Sequence, residues 1–432
     1  MLKKVILFTI LSALLFSSFS VFAFAYQLNE GNTSVEGYYL YNIENDLVMA
    51  QKNISTQLDA SSTVKIMSAC IALESGIPMD QAITISKQML DGVSGRFMGL
   101  KVGDKLSFAD LLYSMICASF NDATHAIAYT VAGSLEEFVD MMNRKAQDLQ
   151  MSSTLYTDVT GMASTSKTSI SDIIRLVKHM LCKEKYLEIT STKTYTLSSL
   201  ATCDYNKITN RSGLISSYKG FANFNIGSST EGGDYAVSYM NNGKNSFICI
   251  VMNARAYFED DAENYAEYCT KKLLNHGIYD YSLKTILTQK KIIDSLPVKY
   301  SIGNQTVDLY LENDLNVFLS DEVDIENDIT FNYYLYDDEL KAPLRTGDKV
   351  GVIVVSNNGK YLGSISLIVR ENVERNFFLF LMDGVKSYLL SRAFAITLIS
   401  LAVISLGYYF YRKKTLDKMF GKNRKNRNRY VK

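Results

Sequence analysis

Histidine is scarce in this sequence, and cysteine never occurs in closely spaced pairs. Three scattered histidines among 432 residues are too few for a histidine-based catalytic triad or a histidine-rich metal cluster. The six cysteines stand singly, without the short spacing of zinc ligands. Most of them lie in apolar runs, such as those around Cys70, Cys117 and Cys249, so we expect buried free thiols rather than disulfides. The sequence therefore predicts a function that uses no metal and no cofactor.

Charge is balanced in total but not along the chain. Lysine plus arginine and aspartate plus glutamate each number 45, yet residues 412–432 hold ten basic residues and one acidic residue, a net charge of +9. Once Lys3 and Lys4 are set aside, residues 26–411 carry a net charge of −11. A body this acidic repels phosphate backbones, so nucleic-acid binding is not expected.

The first 25 residues have the pattern of a secretory signal peptide. Lys3 and Lys4 precede the apolar stretch Val5–Leu15, and a small-x-small cleavage site ends at Ala25. We therefore expect Tyr26 to be the new N-terminus and the body to lie outside the cytoplasm. An uncleaved anchor helix is the alternative, which the cleavage site disfavours.

The C-terminal region predicts a membrane anchor. Residues 393–411 lack charge and are just long enough to cross a bilayer as a helix. The basic tail, residues 412–432, follows at once, and we predict that it stays in the cytoplasm. The alternative, a buried soluble helix, does not explain why the basic run begins where the apolar run ends. Upstream, residues 371–392 hold two apolar blocks that predict either a helix on the membrane surface or the last packed element of the preceding domain.

The length of the chain suits two domains between these ends. In residues 26–282, strand-like stretches at both ends enclose helix-like stretches, which indicates an α+β fold, an antiparallel sheet flanked by helices. The predicted strands cover Val35–Ile43, Tyr235–Met240 and Asn245–Asn253, and the predicted helices cover Ser62–Glu74, Phe108–Cys117, Leu135–Leu149, Ile170–Leu181 and Glu259–Leu274.

Residues 283–370 change character and read as a small all-β domain. We find no catalytic constellation in this domain and expect a spacer or partner-binding role. The predicted strands cover Lys299–Ile302, Thr306–Leu311, Asn316–Leu319, Ile329–Tyr336, Lys349–Val355 and Tyr361–Val369.

Ser62 and Lys65 are the first residues that could carry chemistry together. Three positions apart at the start of a predicted helix, they share one face. Serine is a weak nucleophile until a base takes its proton, and lysine is a base only when burial or positive charge lowers its pKa. The helix N-terminus would also stabilise a developing oxyanion. Alone, however, Ser-x-x-Lys occurs by chance in most proteins of this size.

Ser119 and Asn121 form a second candidate pair. They follow an apolar helix at a break, where a hydroxyl and a carboxamide two residues apart can point the same way. The hydroxyl could relay a proton to a leaving group, and the carboxamide could hold a substrate amide. An ordinary cap or turn is the alternative.

In this order and spacing, the two motifs resemble those of the low-molecular-mass penicillin-binding proteins, the serine D-alanyl-D-alanine carboxypeptidases of peptidoglycan. Leu58–Met67 is similar to the segment of the first motif. Met98–Gly103, Asp110–Tyr113 and Ser119–Ala123 are similar to the segment that leads into the second. Phe138–Met162 and Gly347–Gly351 resemble further stretches of the family. The resemblance implies the penicillin-binding transpeptidase fold for the first domain.

The same resemblance implies roles and partners. Ser62 would attack the penultimate D-Ala carbonyl of a peptidoglycan stem peptide, Lys65 would accept its proton, and Ser119 would pass a proton to the departing D-Ala. Asn121 would orient the substrate. β-Lactams are expected to acylate the same serine, in a protein held in the cell membrane by one helix.

The third motif of the family, Lys-Thr-Gly on an edge strand, is altered here. The register set by the flanking residues places Asn225-Ile226-Gly227 at this motif, so Asn225 and Gly227 are the substrate-binding residues that we expect. An amide replaces the cation that meets the substrate carboxylate, and a lost charge-assisted contact costs about 1.5–3 kcal/mol. Lys219 and Arg255 are two candidates for a substitute cation.

Two functions from different classes remain. The intact first and second motifs favour a serine-type carboxypeptidase that the third motif impairs. The altered third motif favours a catalytically reduced, membrane-anchored relative that binds peptidoglycan or a protein partner. A β-lactamase is disfavoured because the sequence shows no clear deacylating glutamate: Glu136 and Glu137 belong to a helix face.

Overall fold

The computed structural model describes Leu28 and residues 33–198, 205–229, 233–256 and 264–427. The predicted signal peptide and residues 428–432 of the basic tail lie outside the described residues. Those that are described divide into two compact units, one formed by residues 33–282 with 318–323 and the other by residues 283–317 with 324–427.

The first unit contains a five-stranded antiparallel sheet, as the α+β prediction requires. Along the sheet the strands follow the order β2-β1-β5-β4-β3, so β3 lies at an edge. Asn241-Asn242-Gly243 joins β4 to β5, and the positive φ of Gly243 suits that turn. The strands are β1 (Thr33–Asn42), β2 (Leu47–Lys52), β3 (Phe221–Ser229), β4 (Gly233–Asn241) and β5 (Ser246–Ala256).

Helices flank this sheet in the first unit. A 3₁₀ turn at Ser61–Thr63 leads into the first of them, and short helices occur at Lys87–Leu90 and Leu214–Ser217. The longer helices are α1 (Val64–Glu74), α2 (Phe108–Ala118), α3 (Asn121–Ala132), α4 (Leu135–Asp148), α5 (Ile170–Met180), α6 (Glu184–Thr190) and α7 (Tyr265–Tyr279). Two-stranded ribbons pair Leu58–Asp59 with Lys167–Thr168, Ala82–Thr84 with Lys105–Ser107, and Thr194–Thr196 with Lys207–Thr209.

Two helix predictions need correction. Helix α3 was not predicted; it begins only two residues after Ser119 ends α2 in the left-handed conformation, so the break lies between two helices rather than before a loop. The last helix of the unit was predicted to start at Glu259. Its described part starts at Tyr265, where the Asn264 side chain caps it by accepting the backbone N–H of Glu267. This helix also continues five residues beyond the predicted end, to Tyr279.

The sheet separates two hydrophobic clusters. Tyr235 and Val237 of β4 pack into the cluster that contains α1 and α2, whereas Ala236 packs into the cluster that contains α7. Ile226 of β3 also belongs to the second cluster. Alternate residues of a strand face opposite sides, so the sheet presents one face toward the helix that begins just after Ser62.

Four of the five cysteines within the described residues are buried, and none of the five forms a disulfide, as expected. Cys182 is free but exposed, because it lies in the turn after α5. Cys203 lies outside the described residues.

The second unit is built mainly of β-strands. A six-stranded sheet follows the order β10-β11-β12-β8-β7, with the short strand Leu340–Lys341 beyond β7. The strands that lie wholly or partly in this unit are β6 (Tyr281–Leu287), β7 (Asp294–Lys299), β8 (Thr306–Leu311), β9 (Leu315–Ser320), β10 (Ile329–Leu335), β11 (Lys349–Asn357) and β12 (Lys360–Val369). The predicted strand Lys299–Ile302 is wrong: β7 ends at Lys299, where positive φ angles at Tyr300, Gly303 and Asn304 turn the chain.

Two helices end the described chain, α8 (Phe377–Leu389) and α9 (Arg392–Arg427). No residue of α8 is buried, and its large apolar side chains, including Phe377 and Phe378, are exposed. Within α9, Arg392–Leu416 is long and apolar enough to cross a membrane, and none of it is buried. The helix continues through the first basic residues without a break.

We predict that Asp122→Asn destabilises the first unit. The buried Asp122 carboxylate accepts the backbone N–H groups of Met98, Gly99 and Leu100 at 3.0 to 3.1 Å. Weakening these charge-assisted bonds should lower the free energy of unfolding by about 2 kcal/mol or more. Thermal unfolding of the detergent-solubilised chain measures the loss, with the exposed Asp148→Asn as the control. Equal midpoints for the two variants would contradict the prediction.

Candidate active site

Ser62 lies in the 3₁₀ turn that leads into α1. Its neighbour Ser61 has a left-handed backbone, with φ of 47°, a conformation that costs energy in a non-glycine residue and often marks a functional site. Gly161 packs against this turn so closely that a Cβ there would lie 1.8 Å from the Ser61 carbonyl oxygen. Only glycine permits this contact, which holds the half-buried Ser62 in place.

Lys65 is buried one turn further along. Its Nζ donates a hydrogen bond to the carbonyl oxygen of Thr160 at 2.8 Å. Burial lowers the pKa of this amine from 10.5 to about 7; the Asp158 carboxylate opposes that shift, and the Arg211 guanidinium adds to it. Lys65 is therefore the kind of amine that can accept a proton near neutral pH.

Asp158 organises the loop that contacts both residues. Its Oδ2 accepts hydrogen bonds from the backbone N–H groups of Thr160, Gly161 and Met162 at 2.7 to 3.1 Å. Its Oδ1 accepts the hydroxyl of Ser166 at 2.9 Å. This carboxylate fixes the carbonyl that holds the Lys65 amine and the glycine that supports the Ser62 turn.

Ser119 and Asn121 lie at the junction of α2 and α3. Ser119 is buried and, like Ser61, has a left-handed backbone, with φ of 59°. Asn121 is also buried. Its Nδ2 donates to the carbonyl oxygen of Ser94 at 2.6 Å, and its backbone N–H donates to the carbonyl oxygen of Arg96 at 2.7 Å. A Cβ at Gly95 would lie within 3.0 Å of Asn121 Nδ2 and of Met162 Sδ. The second motif thus meets the Asp158 loop.

The altered third motif lies on β3, the edge strand of the sheet. Asn225 is buried, and Ile226 points into the hydrophobic cluster on the other face, so it offers no polar group to the site. Gly227 lies beneath the phenol of Tyr235, with its virtual Cβ position 1.9 Å from the Tyr235 hydroxyl. That hydroxyl is hydrogen-bonded to Ser62, which brings the first and third motifs together.

One cation near this site is Arg211, which the sequence analysis did not name. Its backbone N–H donates to the carbonyl oxygen of Cys117 at 3.0 Å, and its Nη1 donates to that of Ile226 at 3.2 Å. Arg211 therefore links the helix of the second motif to the strand of the third. Its charge also lowers the pKa of Lys65. The sequence offered one signal for this role: a basic residue, two positions before Gly213, in the segment that leads to the edge strand.

The two cations named from the sequence lie elsewhere. Lys219 is exposed in the turn before β3, where Gly220 packs against Asn241 at the β4–β5 hairpin. It precedes Asn225 by six positions, which span roughly 20 Å of extended chain. Arg255 lies on β5, two strands from the edge, and its Nε donates to Asn253 Oδ1 at 2.9 Å. Neither takes the place of the missing lysine.

Three buried polar atoms around the site have no hydrogen-bond partner among the described residues. They are the Oδ1 atoms of Asn121 and Asn225 and the Nδ1 atom of His125. Burial lowers the pKa of His125, an effect that the charges of Asp158 and Asp122 oppose and that of Lys65 reinforces. Buried polar atoms without partners are costly, so these three atoms are candidates to bind a polar ligand.

The glutamates considered for deacylation lie outside the site. Glu136 and Glu137 are exposed near the start of α4, and Glu137 pairs with Arg144 at 2.6 Å.

Among the described residues, Cys70, Glu74 and His179 are close enough to share a metal ion. The carboxylate of Glu74, however, already forms ion pairs with Lys145 and Lys183 and a hydrogen bond with His179, at 2.6 to 2.8 Å. Those contacts lower its pKa to about 2 although burial acts in the opposite direction, and Cys70 has a raised pKa because it is buried. A protonated thiol beside a fully paired carboxylate does not fit a metal ligand set.

Comparisons with known proteins agree with this geometry. Residues 28–256 match the D-alanyl-D-alanine carboxypeptidase family, and residues 281–375 match the family described as penicillin-binding protein 5, C-terminal domain. D-alanyl-D-alanine carboxypeptidase DacF of Bacillus subtilis strain 168 is 25% identical over 387 residues, which is 87% of this chain and 96% of the relative. DacC of Escherichia coli K12 is 29% identical over 387 residues, which is 85% of this chain and 91% of the relative.

A solved structure of similar fold is penicillin-binding protein 5 of Haemophilus influenzae. It superposes with a TM-score of 0.55 at 24% identity and covers 81% of this chain and 100% of its own. Since the first family model alone spans more than half of the sequence, the chain belongs to the D-alanyl-D-alanine carboxypeptidase family, as a serine-type carboxypeptidase of the low-molecular-mass penicillin-binding proteins.

Proposed function

We propose that this protein removes the terminal D-Ala from peptidoglycan stem peptides through an acyl-enzyme on Ser62. The observation that carries the proposal is the buried Lys65 amine, whose pKa of about 7 lets it act as a base one helical turn from Ser62. A serine three residues before a buried amine that titrates near neutral pH, together with buried polar atoms that lack partners, suits acyl transfer.

Acylation proceeds by addition and elimination. The Ser62 Oγ attacks the carbonyl carbon of the penultimate D-Ala while the neutral Lys65 amine takes the Oγ proton. The tetrahedral intermediate then collapses, the peptide C–N bond breaks, and the nitrogen of the departing D-Ala receives a proton that Ser119 relays from the Lys65 ammonium. The products are an ester on Ser62 and free D-Ala.

Deacylation repeats the steps with water. A water molecule attacks the ester carbonyl, its proton passes to the Lys65 amine, and the shortened stem peptide leaves with a carboxylate while Ser62 regains its proton. The amides of Asn121 and Asn225 hold the peptide, because each has a buried oxygen able to accept a substrate N–H. Gly227 leaves space for the substrate backbone beside the edge strand.

Arg211 is the proposed partner of the substrate's terminal carboxylate. It binds the carbonyl of Ile226, next to Gly227, so its guanidinium lies beside the strand along which the substrate extends. An arginine retains its charge at any physiological pH and can bind a carboxylate through two parallel hydrogen bonds. It would replace the lysine that this third motif lacks.

A second candidate function is binding without turnover. The observation in its favour is Asn225, a buried amide where the family has a cation. If Arg211 does not reach the carboxylate, the acyl-enzyme would form slowly and the protein would act as a membrane-anchored peptidoglycan or protein binder.

We also propose that α9 anchors the protein in the cell membrane with its large units outside and its basic end in the cytoplasm. The apolar residues of Arg392–Leu416 are unburied, and Arg412, Lys413 and Lys414 follow the predicted span. The exposed apolar side chains of α8 suit a position at the membrane surface. β-Lactams and D-Ala-D-Ala stem peptides would then meet the site from the cell-wall side.

We expect a fluorescent penicillin to label the full chain in detergent, and a stem peptide ending in D-Ala-D-Ala to release D-Ala. Ser62→Ala should abolish both signals, because it removes the attacking oxygen. The control is Ser61→Ala, which removes the neighbouring hydroxyl that contacts Ser229 at 3.1 Å but leaves the nucleophile. Labelling without D-Ala release favours the binding function, and equal labelling of Ser62→Ala and wild type excludes Ser62 as the nucleophile.

The rate of acylation by benzylpenicillin should rise with pH and level off above pH 7. Lys65 must be neutral to accept a proton, and its neutral fraction increases as the pH passes through a pKa of about 7. Arg211→Gln should move the rising part of this pH profile to higher pH, because removing a nearby positive charge stabilises the Lys65 ammonium and so raises its pKa. Stopped-flow rates between pH 5.5 and 9 provide the measurement, and a flat or falling profile would argue against Lys65 as the base.

Arg211→Gln should also lower kcat/KM for the stem peptide by roughly ten- to hundredfold, the equivalent of one charge-assisted contact. Arg211→Lys, which keeps the charge but not the two-pronged geometry, should retain part of the activity. Lys219→Gln and Arg255→Gln serve as controls and should behave like wild type. A loss in either control with none in Arg211→Gln would assign the carboxylate to another cation.

A further inference from the structure

The side chain of Tyr235 reaches across the edge strand toward the nucleophile. Tyr235 is directly opposite Gly227 in the β3–β4 ladder, and its ring is buried on the face that packs against the helices. A Cβ at position 227 would lie 1.9 Å from the hydroxyl and 2.5 Å from Cζ. The phenol therefore occupies the space that Gly227 leaves open.

The Tyr235 hydroxyl makes two contacts with Ser62. The Ser62 side chain and the Ser62 backbone both act on the phenol as hydrogen-bond partners, and both lower its pKa. The Ser62 backbone N–H belongs to the turn that begins the helix, where backbone N–H groups have no intrahelical acceptor. It is also the donor nearest to the attacking oxygen, and hence the donor best placed to stabilise an oxyanion that forms on the substrate carbonyl.

We propose that the Tyr235 hydroxyl is an internal competitor of the substrate's carbonyl oxygen, occupying the Ser62 N–H and the Ser62 hydroxyl until the substrate displaces it. This inference rests on the proposed function, since it takes Ser62 as the nucleophile. It makes Tyr235 a positioning residue whose displacement precedes acylation. The space released over Gly227 is then available to the acyl group.

The protonation state of the phenol fits a competitor rather than a base. Burial raises the pKa of Tyr235 to about 12, although the contacts with Ser62 and the charge of Arg211 act in the opposite direction. The phenol is therefore neutral at physiological pH and does not take the Ser62 proton; that task remains with Lys65. As a neutral group it can accept from the Ser62 N–H and donate to the Ser62 oxygen at once, which ties up the donor and a lone pair that acylation requires.

The test is Tyr235→Phe in the detergent-solubilised full chain, which removes the hydroxyl and keeps the ring. The second-order rate constant for acylation by a fluorescent penicillin should rise about three- to tenfold, the equivalent of one hydrogen bond no longer broken. A rise in rate is not a result that loss of structure produces. Thermal unfolding checks that the fold is retained.

Tyr186→Phe is the matched control. Tyr186 is another buried tyrosine, and its hydroxyl donates to the carbonyl oxygen of Phe224 on the same edge strand at 3.0 Å. Its removal costs a buried hydrogen bond without freeing Ser62, so the acylation rate should not rise.

The outcomes separate this proposal from the proposed function. Faster labelling of Tyr235→Phe, or labelling of this variant when wild type remains unlabelled, supports the competitor. Equal or slower labelling that still depends on Ser62 overturns the competitor alone and makes the phenol a helper or a bystander. Absence of labelling in both wild type and Tyr235→Phe also overturns the competitor, because removing the hydroxyl has not opened the site. Labelling that persists in Ser62→Ala overturns the proposed function itself.

Discussion

The chemistry proposed for this protein depends on keeping the Lys65 amine out of water. At its ordinary pKa of 10.5, an exposed lysine is neutral in only about one molecule in three thousand at pH 7. Burial removes the solvation that stabilises the ammonium, and about half of the molecules then carry a usable base at neutral pH. The surrounding helices, the edge strand and the Asp158 loop all serve to maintain this environment.

Two charges act on the amine in opposite directions. The charge of Asp158 stabilises the ammonium, although its carboxylate also accepts hydrogen bonds from N–H groups of its own loop. Arg211 destabilises the ammonium and is held by carbonyl oxygens of the second and third motifs. The arginine thus serves twice in the proposed mechanism, since the same charge that attracts a carboxylate favours the neutral lysine. A substrate carboxylate bound to Arg211 would partly cancel that second effect, so substrate binding and the basicity of Lys65 are coupled.

The sequence predicted the parts of this arrangement that local patterns encode. Ser62 and Lys65 share a helical face because of their spacing, and the hairpin at Gly243 and most strand limits follow from turn residues and alternation. The helix from Asn121 was missed, because Ser119 ends one helix with a left-handed residue that is not glycine, and only packing stabilises that conformation. Arg211 and Tyr235 were missed because their roles arise from contacts over long sequence separations, with Lys65 and Ser62 respectively. Both are ordinary residues in their own segments, and only the folded sheet shows what they face.

The residues of the third motif are therefore better explained as substitutions that other groups compensate than as a simple loss of the motif. Ile226 packs into the hydrophobic cluster on the other face of the sheet, while Asn225 keeps a buried oxygen with no hydrogen-bond partner among the described residues. Gly227 remains necessary even before substrate arrives, since any side chain there would collide with the phenol of Tyr235. In the proposed mechanism, Arg211, which binds the Ile226 carbonyl, supplies the positive charge that position 225 lacks. An eroding pseudoenzyme has no reason to keep a buried lysine, which costs folding energy, beside a serine held in a strained turn. The energetic cost of that pair is the strongest physical argument that the site still performs acyl transfer.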